Sequence, residues 1–75
     1  MSRGELLYWQ VVERRDGSKA VFSIYKDGGA LRIVTNQGGE HLVSRGRDLE
    51  RELRVVYGAK VLQTHMPSQG YPSLD

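Results

Sequence analysis

The sequence predicts one α+β domain, with a four-stranded antiparallel meander, one helix packed on a face of the sheet, and a short fifth strand. Three turn signals predict the meander: Asp16-Gly17, Asp27-Gly28 and Gly38-Gly39. Each pair can adopt the positive φ angles of a two-residue hairpin loop. The segments between the turns are rich in Val, Ile, Phe, Tyr and Thr, which is typical of β-strands.

These turns bound four predicted strands over residues 6–14, 19–26, 30–36 and 40–43. Leu49, Leu53 and Val56 then recur at helical spacing, and Gly58 stands where a left-handed glycine ends a helix. Ser44 or Asp48 is the candidate N-cap. Residues 60–65 have the composition of a fifth strand, which pairs at an edge of the sheet.

The length of 75 residues predicts a single domain over residues 1–66, followed by a polar, flexible C-terminal tail over residues 67–75. The chain has no cysteine, which excludes disulfides and thiolate zinc sites. No apolar run approaches the ~20 residues of a membrane-spanning helix, and the N-terminal residues lack the apolar region of a signal peptide. We therefore expect a cytoplasmic protein that does not contact a membrane.

Two-residue loops imply a definite strand register, because the residues that flank each turn then pair directly. This register places Val12, Val21, Val34 and Val43 in one row across the four strands. The third link is the weakest, because Gly38-Gly39 could belong to a longer loop that includes Asn36 and Gln37. The alternation of side chains along each strand then sorts the residues onto two predicted faces.

The predicted first face carries the bulkier apolar residues, and we expect the helix to pack on it. In this arrangement Trp9 is buried between sheet and helix, near Phe22, Ile24 and Leu53. The predicted second face carries the valine row bordered by tyrosines and polar residues. Its candidate binding residues are Tyr8, Gln10, Val12, Val21, Tyr25, Arg32, Val34 and Val43.

An apolar centre with a polar rim is typical of a protein contact surface. The predicted function is therefore a small non-catalytic protein-binding module of the regulator or inhibitor type. Its partner would be another protein or a second copy in a homodimer. Two other interpretations of the valine row stay open: the ordinary strand preference of valine, and a fifth strand or tail that folds over this face.

The alternative function is nucleic-acid binding, in which Tyr8 and Tyr25 stack on bases and cations contact phosphates. The candidate cations are Arg14, Lys19, Arg47, Arg51 and Arg54. Against this alternative, the net charge is only +2, and acidic neighbours three and four residues away neutralise much of the helix stripe. The element order alone is similar to that of AP2-like and integrase arm-binding modules, whose motifs are absent.

No constellation of residues predicts catalysis, a cofactor or a bound metal. His41 and His65 are the only histidines, and neither has a cysteine or a close carboxylate pair at ligand spacing. No serine lies in a nucleophile-elbow context. The glycine pairs connect strand to strand, whereas a phosphate-binding loop leads into a helix. We therefore expect a protein that is not an enzyme.

Overall fold

A computed structural model describes residues 4–44 and 48–74 and places them in a five-stranded antiparallel sheet with one α-helix in that part of the chain. The elements are β1 (Glu5–Glu13), β2 (Lys19–Asp27), β3 (Ala30–Thr35), β4 (Gly39–Ser44), α1 (Leu49–Tyr57), β5 (Lys60–His65) and a 3-10 turn (Pro67–Gln69). The strand order is β4-β3-β2-β1-β5. The predicted α+β class, the four-stranded meander and the fifth strand at an edge are confirmed.

Helix α1 begins and ends at residues that the sequence marks. Asp48 is the N-cap, and its carboxylate accepts a hydrogen bond from the backbone N–H of Arg51 at 3.4 Å. Gly58 ends the helix at a φ of 62°, and its N–H donates to the Arg54 carbonyl at 3.0 Å. Leu53 is the buried anchor of the helix. No helix in residues 4–44 and 48–74 is long and apolar enough to cross a membrane.

The β1–β2 loop is longer than the two residues that the sequence predicted. The Arg14 N–H donates to the Ser18 carbonyl at 2.8 Å, so three residues form the loop between them. The last of the three, Gly17, has a φ of 87°. A type I turn followed by a left-handed residue is the usual three-residue hairpin loop. The Asp16 carboxylate accepts hydrogen bonds from the Ser18 N–H and hydroxyl at 2.9 and 2.6 Å, which holds the turn.

The other two loops also differ from the predicted pairs. Strands β3 and β4 are joined by a three-residue loop that ends in Gly38 at a φ of 86°, and their closing pair is Thr35 with Gly39. Strands β2 and β3 are joined by a two-residue loop, but the loop is Gly28-Gly29 rather than Asp27-Gly28. Asp27 is thereby the last residue of β2 and pairs with Ala30.

The predicted valine row is therefore wrong at each of its links. Val21 lies opposite Val11 rather than Val12, Val34 lies opposite Ser23 and Glu40, and Val43 lies opposite Leu31. The shift is one residue between β1 and β2 and three residues between β3 and β4. Because an odd shift moves side chains to the other face, β4 and residues 8–13 of β1 are turned over relative to the prediction; a bulge between Leu6 and Tyr8 ends this shift at the start of β1. The shift between β2 and β3 is even and leaves their faces as predicted.

The face under α1, which we call the helix-side face, holds the main core. Phe22 and Ile24 of β2 are fully buried there beside Leu53. The Phe22 ring meets Tyr57 of the helix edge-on, with ring centroids 5.0 Å apart. The strand residues of this face include Tyr8, Gln10, Val12, Ala20, Phe22, Ile24, Lys26, Leu31, Ile33, Thr35, His41, Val43, Val61 and Thr64.

The opposite face, which we call the tail-side face, carries Trp9, so the prediction that Trp9 lies under the helix is wrong. Trp9 pairs with Ser23 and meets Tyr71 edge-on, with centroids 5.6 Å apart. The C-terminal segment, residues 66–74, lies across this end of the sheet: its 3-10 turn contacts β1, and Pro72 is buried. Val21 is only 1% exposed on this face. The predicted flexibility of residues 67–75 stays a prediction, and the structure shows the position in which the segment packs.

Candidate protein-binding site

The candidate binding residues do not share one face, which corrects the predicted surface. Tyr8, Gln10, Val12 and Val43 lie on the helix-side face, whereas Val21, Tyr25, Arg32 and Val34 lie on the tail-side face. Val12 and Val43 belong to the buried core cluster under the helix. In the folded chain these two valines are not accessible to a partner.

The half of the tail-side face formed by β2, β3 and β4 keeps three of the predicted binding residues together. Tyr25, Arg32 and Leu42 form one row across these strands, and Val34 and Glu40 form the next. Leu42 is 54% exposed. We call this surface the Arg32 patch, defined by Tyr25, Asp27, Arg32, Val34, Glu40 and Leu42.

Two carboxylates hold the Arg32 guanidinium in the middle of this patch. Its Nε atom donates to Asp27 Oδ2 at 2.9 Å, and its Nη1 atom donates to Glu40 Oε1 at 3.0 Å. Hydrogen bonds to Asp27 first, and then to Glu40, raise the pKa of the Arg32 guanidinium above its ordinary value. The two carboxylates therefore fix the arginine in one position.

The predicted site lacked three residues of the patch, Asp27, Glu40 and Leu42, because the predicted loops and registers differ from those of the structure. The predicted register turned β4 over, which placed Leu42 under the helix. Asp27 was assigned to a turn, whereas the structure makes it a strand residue. A sequence signal for the ion pairs exists only once the β2–β3 and β3–β4 registers are known, because the three charged residues come from three strands.

The residues of the nucleic-acid alternative are dispersed over the molecule. Tyr8 and Tyr25 lie on opposite faces of the sheet, so they cannot stack on one nucleic-acid strand from a common surface. Lys19 is exposed at one end of the tail-side face, and Arg14 is half-buried. Arg51 and Arg54 are exposed on the helix, whereas Arg47 lies outside the described residues.

Tyr8 supports a prediction about alkaline pH. Burial raises the pKa of its phenol, whereas in the unfolded chain tyrosine ionises at about pH 10. The stability contributed by neutral Tyr8 is complete below that pH and is lost as the pH rises through the folded pKa. In Tyr8→Phe we therefore expect a smaller fall of Tm above about pH 10 than in the unmodified chain. Thermal melts followed by circular dichroism check this, and parallel curves for the two chains would contradict it.

The histidines are used in local contacts rather than in a cluster of ligands. His41 Nε2 lies 3.4 Å from Glu52 Oε2, and its ring meets Tyr57 edge-on. His65 Nε2 lies 3.2 Å from Gln63 Oε1. Within residues 4–44 and 48–74, no group of three or more His, Asp or Glu side chains is placed to hold a metal ion.

Comparison with known proteins identifies no relative of this chain. No protein-family model matches the chain, and neither a curated protein nor a solved structure matches it. The function is therefore inferred from the geometry and charge of the two faces of the sheet.

Proposed function

We propose that this chain is a small non-catalytic protein-binding module of the regulator or inhibitor type, with the Arg32 patch as its contact surface. The observation that carries this proposal is the guanidinium held between Asp27 and Glu40 among the side chains of Tyr25, Val34 and Leu42. Tyrosine and arginine are enriched among residues that contribute most to protein interfaces. An arginine already fixed by two carboxylates loses little further side-chain entropy on binding.

The charge of the patch favours a protein partner over nucleic acid. Phosphate contacts need cations whose charge is available, whereas the carboxylates of Asp27 and Glu40 surround Arg32. A guanidinium whose N–H groups already bond carboxylates offers little charge to a phosphate backbone, whereas the exposed Leu42 beside it suits an apolar protein surface. A second copy of this chain is a candidate for that partner, as the sequence predicted.

Leu42→Asp tests the patch, because Leu42 is 54% exposed and the strand tolerates a charge there. We expect the variant to fold and to lose binding by about tenfold or more, since the carboxylate must be desolvated when a partner covers the patch. The measurement is recovery of crosslinked protein partners from native lysate, with and without nuclease, together with sedimentation equilibrium for self-association. The matched control is Val55→Asp, at a helix residue that is 67% exposed.

The opposite pattern would identify the nucleic-acid alternative. If nuclease removes the captured material and Leu42→Asp captures as much as the unmodified chain, the Arg32 patch is not the contact surface. In that case Arg51→Glu with Arg54→Glu should abolish binding, and the affinity should fall steeply as salt rises. A protein contact through the Arg32 patch should show a weak dependence on salt.

A further inference from the structure

The other half of the tail-side face, formed by β1 and β5, is covered in part by the C-terminal segment, with a cavity of about 270 Å³ between sheet and segment. Leu62 has no partner in the β1–β5 ladder, which pairs Val11 with Gln63 and Val12 with Val61. Such a bulge redirects a side chain, and Leu62 lines this cavity together with Val11, Lys19 and Gln63 of the sheet and Ser73 and Leu74 of the segment. Trp9 and His65, which pair across the same ladder, continue this surface. We call it the Trp9 groove, defined by Trp9, Val11, Leu62, Gln63 and His65.

The present occupant of the Trp9 groove is the chain's own C-terminal segment, and its contacts show which chemistry the groove accepts. Tyr71 meets Trp9 edge-on, at an interplanar angle of 76°. Pro72 follows and is buried, and a proline buries no backbone N–H that would need a partner. Leu74 lines the cavity beside Val11. Aromatic-lined grooves that take extended proline-containing peptides are a recurrent mode of recognition.

The C-terminal segment fills the groove incompletely. Tyr71 is 59% exposed although its ring edge touches Trp9, and Leu74 is also exposed. The cavity of about 270 Å³ remains beside Leu74. His65 Nδ1 is buried without a hydrogen-bond partner among residues 4–44 and 48–74, which is unfavourable. A peptide with a larger apolar side chain and a polar group near His65 would fit better than the segment does.

We propose that the Trp9 groove is a binding site for an extended peptide of a partner protein that carries an aromatic–proline pair, and that the C-terminal segment is its intramolecular competitor. Tethering holds the segment at a high effective concentration, so a weak fit suffices to occupy the groove. A partner peptide binds when its better fit outweighs the tether. The groove and the Arg32 patch are separate surfaces, so either assignment can fail without the other.

The test uses the full chain, in which Trp9 is the only tryptophan and therefore reports on the groove by its fluorescence. Tyr71→Ala removes the aromatic contact at an exposed residue, so the fold should persist, as its circular dichroism spectrum would show. We expect its Trp9 emission to shift to the red and to be quenched more readily by iodide. Leu74→Asp, which places a charge beside Val11, should have the same effect, and Val55→Ala should have none.

The second arm adds the peptide Met-Pro-Ser-Gln-Gly-Tyr-Pro-Ser-Leu, the sequence of residues 66–74, in trans. We expect it to reverse the red shift of Tyr71→Ala, with half-saturation at a concentration about tenfold or more below that for the unmodified chain. The control peptide has alanine in place of its tyrosine and second proline and should not bind. Leu42→Asp should leave peptide binding unchanged, which separates this test from that of the Arg32 patch.

Three results would overturn the proposal. Identical Trp9 emission and quenching in the unmodified chain and Tyr71→Ala would show that the segment does not occupy the groove. Equal affinity of the peptide and its alanine control would show that the aromatic–proline pair is not recognised. A dimer of the unmodified chain that Tyr71→Ala dissociates would assign the groove to the segment of a second copy, not to intramolecular competition.

Discussion

Val21→Asp is expected to unfold the chain. Val21 is 1% exposed, so the new carboxylate would be buried on the tail-side face beside Val11. The penalty for burying an unpaired charge is several kcal/mol, which is comparable to the total stability of about 5–15 kcal/mol of a typical domain. The measurement is thermal or urea unfolding followed by far-ultraviolet circular dichroism, in which the cooperative transition should disappear.

Leu42→Asp is the matched control, because it introduces the same charge on the same face at a residue that is 54% exposed. It should keep a cooperative transition close to that of the unmodified chain. The sequence placed Val21 among the candidate binding residues, but Val21 is buried, so the binding test uses Leu42 instead. A Val21→Asp chain that melts like the unmodified one would show that the side chain at position 21 reaches water in the folded protein.

Phe22→Ala is expected to destabilise the fold by about 3–5 kcal/mol. Phe22 is fully buried on the helix-side face, where its ring contacts Tyr57 edge-on, so truncation leaves a cavity between sheet and helix. A domain of 75 residues buries a small core, and this loss is a large part of its stability. Urea denaturation measures the change in the free energy of unfolding.

Val55→Ala is the control for this truncation, since Val55 is 67% exposed on the helix and its loss should change the free energy of unfolding little. A loss below about 1 kcal/mol for Phe22→Ala would mean that the helix does not pack on Phe22. Val21 and Phe22 are neighbours in the sequence and lie on opposite faces of β2. Large effects at both positions would establish that this strand is buried on both sides.

Local chemistry in the sequence determined which segments form the strands and the helix. Asp48 and Gly58 satisfy the ends of α1 with contacts inside a few residues, and such contacts do not depend on the rest of the fold. The glycine-containing turns likewise mark where each hairpin reverses. Tyr25, Arg32 and Val34 were correctly predicted to share a face, because the error in the β2–β3 loop was an even number of residues.

The tertiary structure decided which face of β1 and β4 is buried. In β1 both the even-numbered and the odd-numbered positions carry apolar residues. The even-numbered set contains Leu6, Tyr8 and Val12, and the odd-numbered set contains Leu7, Trp9 and Val11. Two registers therefore bury comparable apolar area, and the hydrophobic pattern does not choose between them. An Asp-Gly pair suits both a two-residue loop and a three-residue loop that ends in a left-handed glycine. A difference of one loop residue then moves Trp9 from one face to the other.

The same dependence on distant pairing explains what was missed in the candidate site. The contacts of Arg32 with Asp27 and Glu40, and the exposure of Leu42, come from three strands whose relative positions are decided by packing. The contact of Tyr71 with Trp9 joins residues about sixty positions apart, and the polar composition of residues 67–75 carries no signal of it. The sequence specified the elements through short-range contacts, whereas the two surfaces depend on contacts that exist only after the chain has folded.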